Sequence, residues 1–280
     1  MDVYEMVTAE VIKKLESGTA PWQKPWIGDG AVAWAAQRPY RGVNTLLLPP
    51  GEYATYAAIE AAGGHVKKGE HGYLVVFWKI MEREEANDAG ELVKKTIPLL
   101  RYYRVFEINT QAEGVTSKRK AADRKGDPIT AAEDIMRGYK DGPAIRFASG
   151  RAYYDPRDDM VSVPPIGDYA KAEDYYSTMF HECAHSTGHK NRLGRIKDGL
   201  NAYASEAYSK EELVAEIASA MLCGKAGIVN RTIDNSAAYL RSWLDVLAGD
   251  SRMIVQAASQ AQKAADYILG VTAEKNAEEM

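Results

Sequence analysis

The sequence predicts an α+β protein in two parts: an N-terminal mixed domain with a small antiparallel sheet, then a domain that combines a small sheet with several helices. Two segments dense in β-branched and aromatic residues, 73–80 and 97–108, indicate a strand pair in the first part. Helical periodicity dominates the second part. Between them, the polar and cationic residues 112–127 are typical of a linker. We therefore expect domains at 1–111 and 128–280.

The composition is that of a globular protein, with 280 residues, 46% of them hydrophobic, and a formal charge of −4. Residues 1–125 hold 18 basic and 16 acidic side chains, and the remainder holds 17 and 23, so the first part is the better candidate for binding a polyanion. Two cysteines, Cys183 and Cys223, are too few for a disulfide scaffold. The chain shows no signal-peptide pattern and no apolar run of about 18 residues. We therefore expect a cytoplasmic protein with free thiols and no membrane partner.

The N-terminal segments combine a helix with an irregular aromatic stretch. Apolar residues at four-residue spacing predict an amphipathic helix over 2–16. Prolines and glycines then interrupt regular structure, and aromatic rings are interleaved with polar and cationic residues: Trp22, Lys24, Trp26, Trp34, Tyr40, Arg41 and Asn44. Single-stranded nucleic acid is bound in this way, because rings stack on bases and cations follow the phosphates. The alternative is that the tryptophans anchor the edge of the core.

The next candidates for phosphate and base contacts lie in a glycine-rich loop and in the strand pair. A short alanine-rich helix is expected over 54–62, followed by a basic loop that contains Lys67 and Lys68. The strand pair carries Trp78 and the run Arg101-Tyr102-Tyr103-Arg104. Alternation along a strand places Arg101 with Tyr103 on one face, and Tyr102 with Arg104 on the other. The charged residues 82–95 predict a hairpin loop between the strands.

The second part begins near Pro128 with a helix to about Tyr139. Short strands are expected over 144–148, 152–154 and 160–163, and helices from about 169, over 210–224, 235–248 and 251–269. The helix from about Tyr169 contains His181-Glu182-Cys183-Ala184-His185, which has the form H-E-x-x-H. Residues four apart on a helix share a face, so both imidazoles can reach one metal ion. Glu182 can then act as the general base toward a water molecule there.

Two histidines leave a catalytic zinc site one ligand short. The helix over 210–224 has a narrow polar stripe of Glu212, Glu216, Ser219 and Cys223. We choose Glu212 as the third ligand and expect Glu216 to hydrogen-bond a ligand histidine; the reverse assignment stays open. A competing interpretation makes Ser209 and Glu212 a capping box at the helix start. His189 is misplaced for the extended motif, whose last position is occupied here by Asn191.

The sequence resembles the ArdC-type antirestriction proteins of plasmids and phages along nearly its whole length. The matching segments in the first half are residues 21–26, 40–44, 63–69, 77–79 and 100–106; in the second half they are 175–178, 181–189, 192–193, 203–204 and 211–216. The resemblance implies an N-terminal single-stranded-DNA-binding domain, shared with some conjugative primases, and a zincin-like metallopeptidase domain. Residues 27–39 depart from the family pattern, being richer in alanine and glycine.

The resemblance implies an antirestriction protein that binds single-stranded DNA and carries a zinc-dependent peptidase acting on an unknown protein substrate. We expect one zinc ion per chain and the following DNA contacts: Trp22, Lys24, Trp26, Tyr40, Arg41, Asn44, Lys67, Lys68, Trp78, Arg101, Tyr103 and Arg104. Tyr203 or Tyr208 is a candidate for stabilising the oxyanion, and an edge strand at 160–163 a candidate for aligning the peptide. The alternative is a non-proteolytic DNA-coating protein whose zinc site is structural or vestigial.

Overall fold

The computed structural model describes residues 1–18, 20–21, 30–86, 92–119, 128–196, 206–228 and 237–271. The helices are α1 Val3–Glu16, α2 Asn44–Leu47, α3 Tyr56–Ala61, α4 Pro128–Gly138, α5 Ala172–Ser186, α6 Glu206–Ala226, α7 Ala237–Gly249 and α8 Met253–Ile268. The strands are β1 Ala31–Ala33, β2 Arg38–Pro39, β3 Gly51–Ala54, β4 His65–Val66, β5 Tyr73–Ala86, β6 Leu92–Glu107, β7 Ala112–Glu113, β8 Ala144–Phe147, β9 Tyr153–Asp155 and β10 Met160–Val163. The predicted α+β class is confirmed.

The larger sheet lies in the N-terminal part and has the strand order β2-β1-β3-β6-β5. The pair β1–β3 is parallel, whereas the other neighbours are antiparallel, so the sheet is mixed rather than purely antiparallel. The short strands β1, β2 and β3 were not predicted from the sequence. Runs of two to four residues are too short to show an alternation of apolar and polar side chains.

The β5–β6 hairpin is longer than the sequence predicted. The two strands stay in register from Tyr73 opposite Val105 to Ala86 opposite Leu92. The expectation of a loop over 82–95 is therefore wrong for most of that range. The loop was predicted because this range is rich in charged side chains. Strands pair through backbone hydrogen bonds, however, and these do not require apolar side chains.

The smaller sheet of the C-terminal part has the order β8-β10-β9, with β10 parallel to β8 and antiparallel to β9. The expectation that residues 160–163 form an edge strand is wrong, because β10 is the central strand. Its burial agrees with that position, since Val161, Ser162 and Val163 are all no more than 1% exposed. The edges of this sheet are β8 and β9.

Helices α5 and α6 pack against each other beside this sheet. Ser219, on the predicted polar stripe of α6, donates a hydrogen bond to the carbonyl of Ser177 on α5, at 3.0 Å. Phe180, Cys183 and Leu222 are fully buried in the same cluster, which also includes residues of α4 and α8. Burial of these side chains fixes the side of α5 that faces the core, and with it the direction of the two histidines.

One hydrophobic cluster joins the two parts of the chain. Val7, Val11 and Leu15 of α1 are buried together with residues of α6, α7 and α8 and with Leu74, Val76 and Leu100 of the hairpin. The amphipathic stripe predicted for α1 therefore packs largely against the C-terminal helices.

Residues 112–119, which the composition assigned to a linker, pack against the N-terminal part. Strand β7 pairs with β4, and the Lys118 ammonium lies 4.1 Å from the centre of the Trp34 ring. The Ser117 hydroxyl and the Lys118 amide both donate to the Glu52 carboxylate. The remaining predicted linker residues, 120–127, lie outside the described ranges. The boundary between the two domains therefore stays a proposal.

Candidate metal centre and nucleic-acid surface

Helix α5 brings the two histidines of the motif onto one side of the helix. It begins at Ala172, and Glu173 and Asp174 in its first turn complement the positive end of the helix dipole. His181 and His185 lie four residues apart, and the centres of their rings are 4.8 Å apart. Glu182, directly after the first histidine, is 8% exposed. The helix therefore presents two imidazoles and a buried carboxylate within one turn.

A carboxylate from α6 completes a three-residue cluster with these histidines. The Nε2 atoms of His181 and His185 are 3.2 Å apart, and the Glu212 oxygens lie 3.5 Å and 3.6 Å from them. All three donors lie within 4.8 Å of one another. Ligand atoms that lie about 2.0–2.2 Å from a tetrahedral ion are about 3.3–3.6 Å apart. The donor set and its spacing therefore fit a divalent metal ion.

The electrostatics of the cluster are dominated by the two acidic residues of α6. Burial alone would lower the pKa of His185, but hydrogen bonds to Glu211 and Glu212 outweigh it and raise the pKa to about 10. For Glu212, burial acts to raise the pKa, and the two histidines overcome it and lower the pKa well below its usual range. Without a metal ion, His185 is thus a protonated imidazole between two carboxylates. A metal ion that binds there must displace this proton, so metal affinity depends on pH.

Glu211 and Arg195 form a support for His185 that the sequence analysis did not identify. A Glu211 oxygen lies 3.5 Å from Nδ1 of His185, the nitrogen that points away from the cluster. Arg195 donates to both oxygens of Glu211, at 2.8 Å and 3.1 Å, and to the carbonyl of Ala184. Contacts of this kind fix the orientation of a ligand histidine. Glu216, for which such a role was predicted, is half-buried one turn further along α6.

The Ser209–Glu212 capping box is wrong. Helix α6 begins at Glu206, so Glu212 lies well inside the helix and its side chain contacts the histidines.

Tyr203 lies outside the described residues, and the side chain of Tyr208 is not described either, so the oxyanion role stays a prediction for both. His189 is buried beside Asp159, with its Nδ1 3.8 Å from that carboxylate, and is not a member of the three-residue cluster.

Arg192 holds the C-terminal end of α5 against the small sheet. Its Nε donates to the carbonyl of Ser186 at 2.7 Å, and its terminal nitrogens donate to Asp159 in the turn before β10. The hydrogen bonds from Arg192 hold the pKa of Asp159 below its usual range, despite partial burial. This ion pair ties the end of the helix that carries the two histidines to the turn before β10.

The predicted DNA contacts separate into three groups. Trp22, Lys24 and Trp26 lie outside the described residues. The second group makes contacts within the protein: Arg41 pairs with Asp266 of α8, Asn44 hydrogen-bonds the Val76 backbone, Lys67 donates to the Thr110 carbonyl, and Arg104 donates to the Gly72 carbonyl. Those contacts give each of these four residues a structural role.

The third group lies on the hairpin, packs against it or belongs to the loop that precedes it. Arg101 is exposed opposite Phe77, and the Phe77 and Tyr103 rings meet edge to face, with centres 5.6 Å apart. Burial, together with the neighbouring Tyr103 hydroxyl, raises the pKa of Tyr40, which packs on the same face. Trp78 is opposite Leu100 and therefore points to the other face of the hairpin. Lys68 is exposed in the loop before β5.

Comparisons with known proteins identify both parts of the chain. Residues 1–106 match the family described as the N-terminal domain of anti-restriction factor ArdC, and residues 130–260 match the family described as zincin-like metallopeptidase. Two crystal structures of the antirestriction protein ArdC from plasmid R388, metal-free and Mn(II)-bound, are similar to this chain. Each is 35% identical and covers 98% of this chain and 99% of the other, with TM-scores of 0.75 and 0.76.

Curated relatives extend over the same length of this chain. The uncharacterised protein y4eC of Sinorhizobium fredii is 34% identical over 287 residues, covering 95% of this chain and 91% of that protein. Two proteins named DNA primase TraC from Escherichia coli are 33% and 34% identical, and this chain spans only 20% and 27% of their lengths. Among the described helices, none has the length and apolar character needed to cross a membrane.

Proposed function

Because the chain belongs to the ArdC-type antirestriction family and has a zincin-like C-terminal domain, we propose that it binds single-stranded DNA and hydrolyses peptide bonds. The observation that carries the peptidase proposal is the cluster of His181, His185 and Glu212, with the buried Glu182 directly after the first histidine. Under this proposal the protein acts in the cytoplasm on a protein associated with incoming DNA, and thereby protects that DNA from restriction.

Zinc is the metal that we propose for this site. Two imidazoles and one carboxylate at tetrahedral spacing are typical of catalytic zinc, which keeps a fourth position open. One crystal structure of the relative from plasmid R388 is Mn(II)-bound, which supports a divalent cation as the ligand of this chain. When bound, the ion supplies Lewis acidity, which polarises a peptide carbonyl and makes a water molecule more acidic.

The residues of the chain have separate tasks in the proposed hydrolysis. Glu182 accepts a proton from the attacking water and returns it to the amine nitrogen that leaves. His181, His185 and Glu212 would hold the ion, and Glu211 orients the ring of His185. A peptide substrate in extended conformation can add to β9, which is an edge of the small sheet and packs against α5.

The test of the peptidase is the substitution Glu182→Gln, which keeps the size of the side chain and removes the base. We expect metal content and DNA affinity to match the wild type, and proteolysis of a casein reporter to fall about 10²- to 10⁴-fold. Antirestriction is measured in parallel during DNA transfer. Full antirestriction by Glu182→Gln would favour the second candidate function, a DNA-coating protein whose metal site is structural.

A further inference from the structure

A cavity of about 520 Å³ lies where the β5–β6 hairpin meets α6 and α8. Trp78 lines it from the hairpin, Lys210 and Glu211 from α6, and Gln256 and Gln260 from α8. The volume is within the range of sites that hold small organic groups. None of the steps proposed for peptide hydrolysis uses this space.

The walls of the cavity match the chemistry of a nucleobase. Trp78 is 48% exposed, so part of its ring is available for stacking, while Met253 and Val255 nearby are buried and apolar. Gln256 and Gln260 are four residues apart on α8 and so share one side of the helix. Their amides donate and accept hydrogen bonds, as the edge of a base requires.

The charges around the cavity also favour a neutral ring with an external phosphate. Arg195 and Glu211 both line the space but pair with each other, so they add little net charge. The Lys210 side chain is 38% exposed and lies 3.5 Å from Asp250, in a position open to water. An uncharged base fits between these groups, and a phosphate next to it would share Lys210 with Asp250.

We propose that this cavity receives one base of a bound DNA strand, stacked on Trp78. This inference rests on the DNA binding proposed above. Trp78 follows Phe77 in β5, and successive side chains of a strand point to opposite faces. Since β5 is the edge strand of its sheet, a DNA strand that crosses Phe77 and Tyr103 reaches Trp78 by turning around that edge. Glu211 in the cavity wall also contacts His185, so the inserted base lies beside the metal centre.

The experiment compares two 20-nucleotide strands, oligo-dT and a fully abasic strand of the same length, by fluorescence anisotropy with the full chain. Trp78→Ala is expected to weaken oligo-dT binding about 5- to 150-fold, which is the contribution of one stacked base, and to leave abasic binding unchanged. Ser259→Phe, which keeps Trp78 and fills the cavity from α8, is expected to act in the same direction. Tyr102→Ala is the matched control, because Tyr102 is 49% exposed on the same hairpin face and does not line the cavity.

Wild-type affinity for oligo-dT in both Trp78→Ala and Ser259→Phe would overturn the inference. If Arg101→Ala still weakened binding in that case, the proposed DNA binding would stand without the base pocket. Equal loss of oligo-dT and abasic binding would also overturn it, because the cavity would then contribute only to backbone contacts or to folding. A wild-type protein that binds neither strand would overturn both the proposed DNA binding and this inference.

Discussion

Glu212 is held between the imidazoles of His181 and His185 by the packing of α5 against α6. Its position depends on where α6 begins. Glu206 and Ala207 favour helix, so the helix starts before Ser209 and the carboxylate of Glu212 is available to the cluster rather than to the helix end.

Glu212→Ala is expected to remove the metal, because a third ligand is lost from a site with three protein donors. Glu216→Ala, one turn along the same helix, is the matched variant and is expected to retain about one zinc per chain. Metal analysis of the purified proteins after dialysis checks both. Loss of zinc from Glu216→Ala with retention in Glu212→Ala would reverse the assignment.

The proton on His185 makes metal binding depend on pH. In the folded protein the pKa of His185 is about 10, above its ordinary value of 6.5. The protonated ring therefore stabilises the metal-free fold fully below pH 6.5, and this stabilisation is lost as the pH rises through about 10. A metal ion requires the neutral ring. We therefore expect zinc binding at pH 7 to release about one proton and the affinity to rise about tenfold per pH unit. Calorimetry in two buffers of different ionisation enthalpy measures the release, and identical heats would contradict it.

The motif residues could be predicted because a four-residue spacing has the same geometry in any helix. Glu211 and Arg195 could not be assigned to His185 in the same way. Their contact joins α6 to the segment after α5, 16 residues apart in sequence, and depends on how these two pieces pack. The sequence signal for this support was the acidic pair Glu211-Glu212. The two adjacent carboxylates contact different nitrogens of the His185 ring.

At the scale of elements, the hairpin determines which side chains face the DNA strand proposed above. Alternation predicted the faces within β6, but the relation of β5 to β6 depends on their register. That register places Phe77 with Arg101 and Tyr103, and puts Trp78 on the opposite face. The β-branched pattern of residues 160–163 likewise predicted a strand correctly but could not distinguish a central strand from an edge.

Arg101→Ala is expected to weaken single-strand binding and to reduce the slope of log affinity against log salt by about 0.7, the value for one phosphate contact. Arg104→Ala is the comparison variant, since this side chain lies on the other face and donates to the Gly72 carbonyl at 2.6 Å. It is expected to leave the slope unchanged. Titrations of oligo-dT at four salt concentrations provide the slopes, and a larger change for Arg104→Ala would move the DNA surface to the opposite face.

For the whole molecule, the main feature is a core shared by both parts of the chain. Composition predicted two domains and a cationic linker, and lysine-rich segments are usually solvated. Here Lys118 covers the Trp34 ring, and α1 packs against the helices of the other part. Local sequence patterns do not reveal contacts between distant segments. The sequence therefore predicted the individual helices and strands better than the way they pack together.

Leu15→Ala tests whether the shared core makes the protein unfold as one unit. Leu15 is 1% exposed in α1, and truncating it is expected to cost about 2–5 kcal/mol. We expect calorimetry to show a single transition in the wild type and in the variant, at a lower temperature in the variant. The metal-free form is used so that ligand binding does not contribute. Two transitions, with only one shifted, would show that the parts unfold independently.

Strand β5 forms one border of the five-stranded sheet, and such a border can recruit a strand from another molecule. The Asn44 side chain occupies part of it: its amide nitrogen donates to the Val76 carbonyl at 2.8 Å, and its oxygen accepts from the Val76 amide at 2.9 Å. One side chain thus takes the place of a neighbouring peptide unit. Asn44 thereby shields this part of the edge from pairing with a second strand, in a hairpin that carries exposed aromatic rings.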